Sequence, residues 1–227
     1  DISGLLNQRS GHRTARFVDL HDPTENPLTM RPHVDCVDCH NPHAVRANPL
    51  AQARLNSTPA ALIPPGMDYV PGITAGGTQT DRARFYYEVR LRCHADNPVP
   101  VDGRIIRQRD AIGNIRRELL PTAASAHPII FPSRGGAADV PSLVPQQRAR
   151  TFIGCQDCHN NPDARELGGF GPNGPHGSRF DFLLAAQYET ADFTMESAQA
   201  YALCYRCHDR SSILGDQSFR FHNLHIV

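Results

Sequence analysis

The sequence predicts a mostly irregular chain with short α-helices and little β-structure, in which side chains alone do not make the core. Three observations lead there. Proline and glycine are frequent (19 and 17 of 227 residues), tryptophan is absent, and apolar residues make up only 40%. Such a composition makes many turns and few long elements, so the protein core is thin for the length. The length allows one domain or two small ones.

What completes the core is indicated by the cysteines. Three complete C-x-x-C-H motifs occur: Cys36-Val-Asp-Cys39-His40, Cys155-Gln-Asp-Cys158-His159 and Cys204-Tyr-Arg-Cys207-His208. The seventh cysteine stands in Arg90-Leu-Arg-Cys93-His94, which lacks only the first thiol. C-x-x-C-H is the attachment pattern of c-type haem. Two thiols add to the porphyrin vinyl groups, and the next imidazole ligates the iron. Each porphyrin brings a large apolar disc for the chain to wrap. Structural zinc is disfavoured, because it needs four ligands in one small site and the first two complete motifs stand far apart. Adjacent C-x-x-C thiols are also poor long-range disulfide staples.

The chain contains one unit twice, expected as a first dihaem unit over 1–120 and a second over 121–227 that together make one continuous haem-packed domain. Unit one runs Ser10-Gly-His12, the motif ending at His40, Pro42-His43, then His94. Unit two runs Ser125-Ala-His127, the motif ending at His159, Gly-Pro-His176-Gly, then His208. His12 to His40 spans 28 residues and His127 to His159 spans 32; the motif histidines are separated by 54 and 49. This places Cys93-His94 opposite a complete motif. It is read as a haem site whose first cysteine is replaced by Arg90, so that the second of four haems is held through Cys93 alone.

The elements follow in order. Residues 81–94 read as a helix starting at an Asp81 cap, and 194–208 as its counterpart. Further short helices are expected over 48–55 and 182–188. Residues 59–80 and 132–146 read as loops, and strands should be few.

Four irons need four second axial ligands. Only Met30, Met67 and Met195 exist and none recurs between the units, whereas eight histidines remain beyond the motifs. His12 matches His127, and His43 matches His176. Bis-histidine ligation follows, with His40, His94, His159 and His208 proximal. His21, His33 and His222 are left without a role, and His225 is a candidate ligand to a haem in an adjacent copy.

Formal net charge is zero, which argues against nucleic acid as a partner. All 23 basic residues are arginine. Pairing with haem propionates and a base-composition bias explain this equally well. No apolar run approaches the roughly 20 residues of a membrane helix. Asp1 is expected to follow a cleavage site, and covalent haem attachment places the mature protein outside the cytoplasm: secreted, extracellular or cell-surface, with the periplasm as the alternative.

The segments PHVDCVDCHNPH, GCQDCHN with GPNGPHGS, YALCYRCHD and FRFHNLHIV resemble the multihaem c-type cytochromes with paired C-x-x-C-H motifs. The resemblance implies electron carriage without catalysis. It also points to the tetrahaem members that assemble head-to-tail into extracellular filaments, passing electrons to other redox proteins or extracellular acceptors. Longer relatives continue after an H-x-x-H-V segment into another motif, where this chain stops at Val227. The alternatives are a subunit of a membrane-associated redox complex and a multihaem reductase of nitrogen or sulfur oxyanions. The second needs an open iron position, often with a lysine ligand, and the chain has no lysine.

Overall fold

The computed structural model describes residues 2–12, 14, 34–44, 63–64, 66–95, 114–123, 126–133, 140–217 and 220–226. The chain divides into two compact units. One comprises 13–132 with 152–155; the other comprises 1–12, 133–151 and 156–227. Among the described residues the helices are short: α1 (Ser3–Leu6), α2 (Cys36–Cys39), α3 (Tyr86–His94), α4 (Ile115–Glu118), α5 (Cys155–Cys158), α6 (Ala202–Tyr205), α7 (Arg210–Leu214) and α8 (His222–Ile226). One antiparallel pair, β1 (Gly72–Ile73) and β2 (Gln79–Thr80), aligns Gly72 with Thr80 and Ile73 with Gln79. The structure is therefore mostly irregular with little β, as composition predicts; only part of the expected 59–80 loop is tied into this small hairpin.

In the unit of 13–132, α3 is the organising element. Its start is set by Glu88, whose carboxylate accepts from the N–H groups of Arg84 (2.6 Å) and Phe85 (3.2 Å). A carboxylate reaching back in this way satisfies donors that the first helical turn leaves open. The helix therefore begins at Tyr86 and not at Asp81. Residues 82 and 83 are held elsewhere: Arg82 pairs with Asp68, and the Ala83 N–H donates to the Val70 carbonyl. Two apolar clusters flank α3. Ile73, Tyr87, Leu91, Ala95 and Ile130 form one; Met67, Val70, Ala83 and Val89 form the other. Gly72 allows the close approach, since a Cβ there would lie 2.9 Å from Ala83 Cβ and 3.0 Å from the Glu88 backbone.

The unit that holds 156–227 is built differently. Several of its most buried side chains are polar: Asn160, Asn161, Ser142 and Ser178. Asn160 Oδ1 accepts from the N–H groups of Asn161 (2.9 Å) and Gly174 (2.8 Å), and Asn161 Nδ2 donates to the Pro172 carbonyl at 3.2 Å. Satisfied amides of this kind fix irregular backbone where no ladder exists.

Three helix expectations need correction or fall aside. Over 194–208 only Ala202–Tyr205 is α-helical. Leu203 N–H donates to Gln187 O and Glu189 N–H to Ala200 O (both 2.9 Å), so the preceding turn pairs with a neighbouring stretch of chain instead. Over 182–188 there is a single 3₁₀ turn, Asp181–Leu183, because Phe182 and Leu183 both take φ of 58°, the left-handed region. The expected helix over 48–55 lies outside the described residues.

Candidate functional site

The first motif sits on one helical turn. Asp35 and Asp38 form a capping box at the start of α2, with Asp38 Oδ2 accepting from the Asp35 N–H at 2.7 Å. His40 follows in extended backbone, its N–H donating to Cys36 O at 2.9 Å. Cys39 packs against the Met67 cluster. Asp38 has a second task. Its other oxygen meets Arg92 Nη1 at 3.4 Å, with side-chain exposures of 4% and 11%. Arg92 is the residue before Cys93, so a buried ion pair ties the first motif to Cys93-His94.

Cys93 and His94 close α3. Burial pushes the Cys93 thiol up to about 11 and also raises Cys39, so both are thiols at neutral pH. Arg90 lies three residues before Cys93 and so on the same helix face. That is the place of Cys204 relative to Cys207. Its Nη2 donates to Tyr86 Oη at 2.8 Å, and the guanidinium lies 4.8 Å from the ring centroid. Its charge reaches the first motif, where it partly offsets the rise that burial imposes on Cys39. Arg90 Nε is buried with no hydrogen-bond partner.

The second pair repeats the tie in altered form. Asp157 occupies the position of Asp38, and Arg206 that of Arg92. Arg206 Nη1 donates to the Asp157 carbonyl at 2.8 Å. The Asp157 carboxylate is gripped by both arms of Arg150, at 2.6 and 3.1 Å. Tyr205, between the two cysteines of the last motif, donates to Glu196 at 2.8 Å, and Arg210 pairs with the same carboxylate. Burial, then this carboxylate, pushes Tyr205 up to about 12. Burial also raises the thiols of Cys158 (to about 11), Cys204 and Cys207.

The histidines of this unit carry a further sign. His159 Nδ1 lies 2.9 Å from Phe182 O, and His12 Nδ1 lies 3.1 Å from Pro175 O. A carbonyl can only accept, so each Nδ1 holds the proton and the neutral ring carries its lone pair on Nε2. This is the arrangement that fixes the tautomer of a metal-ligating histidine. His208 Nδ1 lies 3.0 Å from Ser142 Oγ, itself buried.

The remaining predicted residues fall as follows. His43 lies in a 3₁₀ turn, Pro42–Ala44, behind the first motif, and is exposed. His127 heads the segment that leads into buried Ile130, in the compact unit of α3. His176 is half-buried in the loop that faces residues 10–12. His222 opens α8, whose Asn223 Nδ2 donates to Leu214 O at 2.9 Å. His225 belongs to the same helix, but its side chain lies outside the described residues, as do His21 and His33. None of the cysteines forms a disulfide. Among the described residues no group of three or more His, Cys, Asp or Glu gathers as a site for a bare metal ion, and no helix is long and apolar enough to cross a membrane.

Sequence reasoning missed the two Asp–Arg ties. Their signal was present: both leading motifs read C-x-D-C-H, and both trailing ones read R-C-H.

The donor set fits haem c: two thiols one helical turn apart, a histidine directly behind them, and Nδ1 protons engaged by carbonyls. Residues 153–212, less than half of the chain, match the family described as the doubled CXXCH motif. That stretch spans the two motifs from Cys155 to His208, and the match supports a multihaem c-type cytochrome with covalently bound haem. No curated protein and no solved structure matches the chain.

Proposed function

We propose that the protein is a tetrahaem c-type cytochrome that carries electrons along a chain of bis-histidine haems and catalyses no reaction of its own. The carrying observation is the tie from Asp38 to Arg92, which answers the one from Asp157 to Arg206. It supports Cys93-His94 as a working haem site although Arg90 stands where a thiol is expected. His40, His94, His159 and His208 are the proximal ligands; His12, His43, His127 and His176 are the distal ones. Each bound haem supplies a ferric/ferrous couple, so transfer is outer-sphere hopping with no substrate on iron. The cysteines would hold the porphyrins through thioethers, and the ties hold paired motifs at a fixed separation.

The test counts haems and open positions. Iron and pyridine haemochrome analysis of the native protein should give four haems per chain, about a quarter of them with one vinyl group left unsaturated, since one motif in four lacks a thiol. Carbon monoxide added to the reduced protein should bind little. Three haems would remove Cys93-His94 from the chain of carriers, and stoichiometric carbon monoxide binding at one haem would favour a reductase.

In the same reading the chain is the repeating subunit of an extracellular filament. His222 and His225 lie three apart in α8; in a filament His225 would take the sixth position of a haem in the next copy, displacing that haem's own distal histidine. A heterologous contact of this kind repeats without closing. Deleting 221–227 should leave folded monomers that no longer polymerise, with one haem changed at its sixth ligand. Normal assembly with unchanged spectra would discard this role.

A further inference from the structure

Among the described residues the N-terminal arm pairs within its own compact unit, with the stretch around Ser178. Ser10 forms an antiparallel bridge with Ser178, each N–H donating to the other's carbonyl at 3.1 and 2.8 Å. The Ser10 hydroxyl is shared by the turn beyond: it donates to Phe180 O and accepts from the Leu183 N–H at 2.7 Å. That turn is the one whose Phe182 carbonyl receives the His159 ring proton, and whose Leu183 carbonyl receives the Asn160 N–H. The arm is thus stitched to the loop that orients a motif histidine of the second pair.

His12 lies two residues beyond Ser10. Extended by two residues, the register of the bridge points His12 toward the stretch of His176, and the His12 ring reaches the carbonyl of the adjoining Pro175 at 3.1 Å. The contact is close because both intervening residues are glycine. A Cβ on Gly11 would come within 3.0 Å of the His176 carbonyl, and one on Gly177 would overlap the Leu5 carbonyl. Both histidines are half-buried, and the His12 ring proton is taken by Pro175 O.

The matching segment of the second half goes the other way. His127 precedes Pro128, whose carbonyl accepts from the Ile153 N–H, and Ile130, buried against Tyr87 and Leu91 of α3. It therefore belongs to the compact unit of Cys36–His40 and Cys93-His94, which also takes in Phe152–Cys155.

We infer that the two S-x-H histidines are exchanged: His12 is the distal ligand of an iron in the second haem pair, beside His176, and His127 serves the first pair, beside His43. Each compact unit then holds two motif histidines and two distal ones. The inference rests on the tetrahaem reading and adds to it which ligand serves which pair.

The experiment is His12→Met in the holoprotein, with His127→Met as its reciprocal. Haem content is measured first; fewer than four haems in the wild-type protein would count against the tetrahaem reading itself, separately from the exchange. With four, near-infrared magnetic circular dichroism should show one iron of the four turned from bis-histidine to histidine–methionine. Nuclear Overhauser effects from the methyl introduced at position 12 should reach the haem bridged by Cys155 and Cys158 or by Cys204 and Cys207. Those from the methyl introduced at position 127 should reach the haem on Cys36 and Cys39 or on Cys93. An unchanged ligand spectrum for His12→Met, or contacts of its new methyl with a haem of the first pair, would overturn the exchange. Should either variant fail to fold, the ring protons of His12 and His127 in the wild-type holoprotein are assigned to their haems by the same effects. Contacts of His12 with the second pair and of His127 with the first then support the exchange, and the opposite contacts overturn it.

Discussion

The two motif pairs answer one requirement with different materials. Around Cys36–His40 and Cys93-His94 the chain builds a nine-residue helix, flanks it with two apolar clusters and buries an Asp–Arg ion pair. Around Cys155–His159 and Cys204–His208 the corresponding helix is one turn long, and buried amides and hydroxyls hold the backbone. What persists is the link from the aspartate of the leading motif to the arginine of the trailing one. Helix length and core chemistry differ between the pairs, and so does the kind of bond, a carboxylate ion pair in one and a carbonyl hydrogen bond in the other, while the two positions it joins stay the same. The pair with the longer helix and apolar flanks is also the one that does without a thiol, a combination consistent with packing taking over part of what a second thioether would hold.

The sharpest way to break this comparison is to remove the two aspartates separately. Asp38→Ala leaves Arg92 buried without its carboxylate, a change that costs about 3–5 kcal/mol. Asp157→Ala takes the carboxylate from Arg150, which is about a quarter exposed and keeps its bond to Gln147 Oε1, and leaves the carbonyl of residue 157 bonded to Arg206. Its cost should be about 1.5 kcal/mol. Denaturation midpoints of the two holoproteins check the order; equal losses would mean that the pairs are held alike.

A smaller effect sharpens the comparison at Arg90. Arg90→Cys completes the motif and should move the haemochrome band to that of four doubly attached haems. If Arg90 also holds its pair together through Tyr86, the variant gains a thioether and still unfolds no later than wild type. An unmoved band would show that residue 90 does not face the vinyl group.

The smallest concerns acid. The Arg210 guanidinium, with help from Tyr205, holds the Glu196 carboxyl below the ordinary carboxylate range. A depressed carboxylate contributes stability that is present above about pH 4.3, the unfolded value, and lost as pH falls through the lower folded one. Glu196→Gln should flatten the loss of stability below that pH in urea titrations. Glu88 of the first pair is engaged differently, since it spends its oxygen on the backbone of 84 and 85. An unchanged acid limb would dismiss Glu196 as an anchor.

Much of the site was legible because haem attachment is written in adjacent residues. Two thiols and an imidazole must share one turn, so spacing alone marks Cys36–His40, Cys155–His159 and Cys204–His208 as candidates and the repeat marks Cys93-His94; the family match covers the two motifs within 153–212. The sparse secondary structure followed from proline, glycine and a small apolar fraction. Helix ends were less legible. The start of α3 depends on Asp68 and Val70 holding residues 82 and 83, and the truncation of 194–208 depends on Gln187 and Glu189. Local propensity does not register partners at such distances. Least legible was where residues 10–12 pair, since Ser10 and Phe180 are separated by 170 positions. A repeat matches segments by likeness and is silent on which copy a segment joins.

That separation has a consequence in time. Polypeptides emerge N-terminus first, at about 5–20 residues per second. The segment holding Ser10 therefore waits roughly ten to thirty seconds before Ser178 and the 180–183 turn exist to receive it. Closing so long a loop adds little to the free energy, because each doubling of length costs only about 0.6 kcal/mol. It weighs on rate instead, since distant pairings form late. A stalled or shortened chain would leave the Ser10 backbone and hydroxyl without the partners that Ser178, Phe180 and Leu183 supply.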